Sequence, residues 1–183
     1  MSERVTADTF LARPLTPCGT GVLVLAGSSG RIEQDRAELL ARHGAAAMAM
    51  RWFGGAGQRP APHEVPLELF VGAVDRLAAD CERVAIIGAS FGAEAALLTA
   101  VHDARVAAVV GLAPTSVVWG AYAEERWSSH WTLGGHPLPY VPLRRGLERR
   151  HRATCLPGAL RVEPRCGPGP HGRGVDSGRA DLG

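Results

Sequence analysis

Lysine is absent from these 183 residues, and all 20 basic side chains are Arg. Arg codons are mostly G+C-rich and Lys codons A-rich, so the gene reads as G+C-rich. Long apolar runs are absent too. The nearest candidate, Val106 to Ala113, falls short of the ~18 residues needed to cross a bilayer and follows His102, Asp103 and Arg105, so no membrane partner is expected. Cysteine is sparse. Cys18, Cys81, Cys155 and Cys166 form no CxxC pair and no Cys/His group with zinc spacing, so free thiols are expected and no metal site is. The opening Met1-Ser2-Glu3-Arg4 has mixed charge and no apolar h-region, which argues against a secretory signal and makes the cytoplasm the default compartment.

What is present suits one domain with a sizeable core, but the chain changes character near residue 143. Residues 1–143 hold 11 Arg and 14 acids, a net of −3; residues 144–183 hold 9 Arg and 4 acids, a net of +5. The second stretch also has 8 Gly and 4 Pro and no helical or strand periodicity, so it is expected to be disordered. Three readings fit it. Arg-rich arms bind phosphate, but Glu148, Glu163, Asp176 and Asp181 interrupt this one and no aromatic is there to stack on a base, so no nucleic-acid partner is expected. An ordinary tail is the second reading. The favoured one is out-of-frame translation, since G+C-rich DNA in the wrong frame yields Arg, Gly, Pro and Ala. The expected organisation is therefore a body over 1–143 and a tail over 144–183.

The body alternates strands and helices. Gly21–Ala26, Ala46–Met50, Val84–Ile87 and Val106–Leu112 are short continuous apolar runs, the signature of strands buried on both faces. Between them, Ile32–His43 has acids early and Gly44 at its stop, and Leu67, Phe70, Val71, Val74, Leu77 and Ala78 share one helical face after Pro66. Phe91–Val101 is a third helix, and Arg51–Pro62, with three Gly and two Pro, is a loop. The fold class expected is α/β, a parallel sheet with helices on both faces. Right-handed crossovers put the strand C-termini on one edge, where ligands bind, and Gly27–Gly30, Arg51–Gly57 and Gly88–Gly92 all fall there.

Gly88-Ala89-Ser90-Phe91-Gly92 matches G-x-S-x-G, a weak signal alone but here set between a strand and a helix, the context the nucleophile elbow requires. The turn strains Ser90, and its neighbours two residues away must be small, as Gly88 and Gly92 are. Ser90 is the candidate nucleophile, against the plainer reading of a Ser N-cap. The backbone N–H of Phe91 is one candidate oxyanion donor, and that of Ser28 or Ser29, after the first strand, is the other. Gly27–Gly30 also reads as a plain turn or a phosphate loop. However, it lacks G-x-G-x-x-G spacing and the next strand ends in Arg51 rather than a ribose-binding acid, so no nucleotide cofactor is expected. Glu94 lies in the first turn after the elbow, where complementing the helix dipole is sufficient reason for it. Arg51-Trp52-Phe53 reads equally as a pocket lining and as the end of a core strand.

From Gly21 to Pro142 the chain resembles the C-terminal catalytic domain of acyl-CoA thioesterases and bile-acid-CoA:amino-acid N-acyltransferases, of α/β-hydrolase type, and more closely their single-domain bacterial relatives. The matches are Val22–Gly30, Trp52-Phe53-Gly54, Val65-Pro66-Leu67-Glu68 and Gly88–Glu94. They continue through Ser116-Val117-Val118-Trp119, Ser128-Ser129, Trp131-Thr132 and, most specific of all, Gly134 through Pro142. The resemblance implies attack of Ser90 on an acyl thioester or ester, such as one of CoA, and release of the acyl group to water or an amine; serine at this position suits hydrolysis. It also implies an acid and a His beyond the Pro137-Leu138-Pro139-Tyr140 block. There the chain holds only the Arg-rich stretch, so the sheet is expected to be truncated and the acid and base stay unassigned. His102 ends a helix away from the active edge; His130 and His136 sit in a cap-like segment where no acid is expected to orient them. A Ser without a base is a weak nucleophile, so a non-catalytic remnant of such an enzyme is the alternative.

Overall fold

In the computed structural model, residues 2–142 are described, and the 144–183 stretch with its boundary lies outside them. The chain opens with a hairpin, β1 (Ser2–Thr6) and β2 (Thr9–Ala12), followed by β3 (Thr20–Leu25), α1 (Gln34–Arg42) and β4 (Ala46–Met50). A loop leads to the two-residue β5 (Val65–Pro66), then α2 (Glu68–Ala78), β6 (Arg83–Ala89), α3 (Phe91–His102) and β7 (Val106–Leu112). Short strands β8 (Gly120–Ala123), β9 (Arg126–Ser129), β10 (Trp131–Leu133) and β11 (His136–Pro137) make up the cap-like segment.

Six strands form the main sheet, in the order β1-β2-β4-β3-β6-β7. The pairs β4–β3, β3–β6 and β6–β7 are parallel, as the continuous apolar runs require. The hairpin, to which no strand was assigned from the sequence, makes the sheet as a whole mixed. β2 runs antiparallel to β4, with Thr9 opposite Met50 and Ala12 opposite Ala47, and β1 antiparallel to β2. A hairpin needs only a tight turn to reverse direction, whereas a parallel neighbour needs a crossover.

Both faces are covered. Val22, Val24, Ala47 and Ala49 pack with Ala37 of α1 on one face. Leu23, Leu25, Met48 and Ile86 pack on the other with Phe70, Val74 and Leu77 of α2 and Ala95 and Ala96 of α3. The alternation along β3 is thus between two apolar layers, not between core and solvent. This is the α/β arrangement expected from the sequence, a sheet with helices on both faces. The cap-like segment docks on the second layer through Trp131, fully buried, whose ring lies 5.1 Å from Trp52 and 5.8 Å from Phe70. β5 joins β10 in parallel and ties that segment to the entry of α2. No helix among the described residues is long and apolar enough to cross a membrane.

Candidate active site

β6 delivers the chain to Ser90 at the C-terminal edge of the parallel strands, and α3 starts at the next residue. Ser90 has φ +51° and ψ −119°, a conformation that L residues rarely adopt. Its environment leaves no alternative. A Cβ on Gly88 would collide with the backbone carbonyl of Gly92, and a Cβ on Gly92 would collide with the carbonyls of Ala26 and Leu25 at the end of β3. The two glycines are therefore needed to let helix and strands approach. The Ser90 N–H donates to the Leu112 carbonyl at 2.9 Å, and the Ser90 carbonyl accepts from the Ala93 and Glu94 amides. The side chain is exposed, and among the described residues no side chain hydrogen-bonds to its Oγ.

The candidate oxyanion donors lie at the same edge. The Phe91 N–H is in the first turn of α3, where it has no intrahelical acceptor and the helix dipole favours negative charge. Gly27 is so close to the elbow that a Cβ there would sit 3.0 Å from the Ala89 carbonyl and from Ser90 Cβ. Ser28 and Ser29 follow it, both exposed, in a turn closed by Gly30 N–H donating to the Gly27 carbonyl. Trp52 belongs to the core: it is buried, and its Nε1–H donates to the Ala26 carbonyl at 3.0 Å.

Two buried carboxylates anchor the cap-like segment, and the sequence did not point to either role. Glu94, 3 % exposed, reaches across from α3: its Oε1 accepts from the Trp119 amide at 3.0 Å and from Trp131 Nε1 at 2.8 Å. His130 Nδ1 stands 3.7 Å from the same oxygen. This corrects two expectations, that Glu94 serves only the helix dipole and that no acid faces His130. The reason both were missed is tertiary, since residues 36 apart in the chain meet only when the cap folds over the first turn of α3. The second carboxylate, Glu64, accepts from both Arg126 guanidinium nitrogens and from Ser128 Oγ. Those bonds, with Arg126 first, hold its carboxyl well below the ordinary carboxylate range, at about 2. It is a fully satisfied clamp.

A cavity of about 550 Å³ opens between the elbow and the cap, lined by Phe91, His63, His130, Tyr122 and Trp127 among others. Its walls are mainly apolar, and the two histidines, both buried, supply the polar edge. His102 is exposed at the end of α3 and His136 is exposed in β11. No cluster of three or more His, Cys, Asp or Glu that could hold a metal ion occurs among the described residues.

No protein-family profile matches the chain, and no curated protein matches it significantly. Among solved structures, it is similar to the α/β hydrolase GrgF from Penicillium sp. sh18, at 21 % identity and a TM-score of 0.48, over 58 % of this chain and 40 % of that one. The type II thioesterase BorB of the borrelidin biosynthetic cluster aligns at 18 % identity and a TM-score of 0.44, over 60 % of this chain and 47 % of its own. Proline iminopeptidase from Mycobacterium smegmatis aligns at 18 % identity and 0.39, over 60 % and 42 %. The chain thus spans less than half the length of each of these structures.

Proposed function

We propose that the chain is a serine hydrolase of the acyl-CoA thioesterase and bile-acid-CoA:amino-acid N-acyltransferase type, acting on a small acyl thioester or ester through an acyl-enzyme on Ser90. One observation carries the reading. An exposed serine is held at φ +51° on a strand-to-helix turn, at the helix N-terminus, by glycines that the packing cannot replace. Strain of this kind costs of order 1–3 kcal/mol and persists only where the surroundings enforce it, which favours a chemical role over a simple cap. Attack by Ser90 Oγ on the acyl carbonyl would place the developing oxyanion toward the Phe91 N–H and that of Ser28 or Ser29. The largely apolar cavity beside Phe91 suits an acyl chain.

The alternative, a non-catalytic form of such a protein, draws on the lack of a hydrogen-bond partner for Ser90 Oγ among the described residues. A fluorophosphonate probe separates the two. Under the enzyme reading, mass spectrometry finds the adduct on Ser90 and the Ser90→Ala variant is not labelled. Labelling that persists in Ser90→Ala assigns the chemistry elsewhere.

A further inference from the structure

We propose that β7 is a docking edge for a second copy of this chain, the two β7 strands pairing antiparallel about a two-fold axis at Val110. The proposal does not depend on the serine reading above. It starts from the ladder between β6 and β7. The Ser90 N–H donates to the Leu112 carbonyl, and Leu112 lies opposite Ala89, Val110 opposite Ile87. In a parallel ladder of that register the backbone groups of Ala108, Val110 and Leu112 point to β6. Those of Val109 and Gly111 alternate with them and point away, to an edge where no strand pairs among the described residues.

Sheets guard such an edge with Lys, Pro, an inward charge or a bulge. β7 has no charged residue and no Pro. Its one irregularity against β6 falls at Ala107, near the start, and leaves Ala108–Leu112 regular. The nearest charge, Arg105, is engaged, its guanidinium donating to Asp103 and Asp75. The other edge strand of the sheet, β1, reads Ser-Glu-Arg-Val-Thr and offers no such uncharged run. The sequence also decides between occupants. Residues 144–183 hold 9 Arg and no run of more than two apolar residues, so no segment there matches a charge-free strand.

β7 matches itself. With Val110 on the axis, Val109 faces Gly111 of the second copy and Ala108 faces its Leu112, a small residue against a large one on both faces of the sheet. Val109 and Gly111 become hydrogen-bonded positions and exchange N–H···O bonds in both directions, using the groups that a single copy leaves unpaired. Val110 meets Val110 at the closer position, with Cα atoms about 4.5 Å apart. Ala108, Val110 and Leu112 are all exposed in one copy, the last two at 48 % and 42 %. Side by side across the axis they form one apolar strip and shield one another. Each copy uses its only uncharged edge, so the association closes at a dimer.

Sedimentation equilibrium of the full chain over a range of concentrations tests this. The average mass should rise from the 19.3 kDa of one chain toward twice that value and stop there. Val110→Lys and Val110→Glu, checked for folding by circular dichroism, each bring like charges face to face on the axis and should weaken association by roughly 10²-fold. Mixed in equal amounts, the two variants should associate again as a Lys–Glu pair. Ala108→Glu, opposite Leu112, is the second probe and should also stay monomeric. A native chain that is monomeric at every concentration overturns the proposal. So does growth beyond the dimer, or association that both Val110→Lys and Ala108→Glu leave unchanged. A Lys–Glu mixture that remains monomeric overturns the pairing at Val110.

Discussion

The centre of the sheet and its β7 edge are built from the same residue types and end in different surroundings. β3 is buried from Gly21 to Leu25, paired on both sides by β4 and β6 and covered by α1 on one face and α2 on the other. β7, Val-Ala-Ala-Val-Val-Gly-Leu, is as apolar, yet it pairs only with β6 among the described residues. α3 covers the side of β7 that carries Val109, while Val110 and Leu112 remain 48 % and 42 % exposed. On α3 itself Val101 is 75 % exposed. An apolar run states that a strand is meant to be covered on both faces; which element covers it is information held elsewhere in the chain. The elbow lies where the two regions join, since β6 pairs with both.

The sharpest way to break this comparison is at that join. Gly88→Ala drives a Cβ into the Gly92 carbonyl, and backbone cannot step aside as a flexible side chain can. We expect a loss above ~4 kcal/mol, the range reserved for such mechanisms, seen as the absence of a cooperative thermal transition. A folded Gly88→Ala protein would mean that the elbow is looser than described. Next, Leu23→Ala in β3 should cost about 2–5 kcal/mol in urea unfolding, the cost of a buried leucine truncated in a packed core.

An intermediate effect belongs to Glu64. Its carboxyl is held at about 2 when folded, below the ordinary value of 4.5, so the clamp stabilises the fold fully above pH 4.5 and loses that contribution as pH falls toward 2. Melting temperature should therefore drop through that window, and the drop should be smaller in Glu64→Gln. Equal slopes in the two proteins would remove Glu64 from the account. The smallest effect is expected at the edge: Val110→Ala should change stability by less than ~1 kcal/mol, as at other half-exposed sites. A cost equal to that of Leu23→Ala would show that β7 is covered in the whole protein, and the contrast between centre and edge would collapse.

The readable parts of the fold share one property, that their signal is local. β3, β4, β6 and β7 were visible as continuous apolar runs, α2 through Phe70, Val74 and Leu77, and the elbow through five consecutive residues. The hairpin was not. β2 offers only Phe10, Leu11 and Ala12 to be buried, too short to stand out, and its antiparallel direction is set by the two-residue turn Ala7-Asp8. The strands of the cap-like segment span two to four residues each and carry no period of their own. At the site the same rule divides Ser90 from Glu94 and His130. The serine is announced by its neighbours, while the carboxylate and imidazole face each other only after residues 119–131 fold over the first turn of α3.

The hydrogen bond from the Ser90 amide to the Leu112 carbonyl ties the elbow to the last residue of β7. That amide proton can exchange with solvent only when the end of the edge strand lifts, so its exchange rate is a clock for fraying of β7. The strained serine is thereby clamped from an edge strand whose Val110 and Leu112 are exposed. Whatever settles on that edge, be it another part of the chain or another molecule, will slow this one proton and stiffen the turn beneath it, with no contact to the serine side chain.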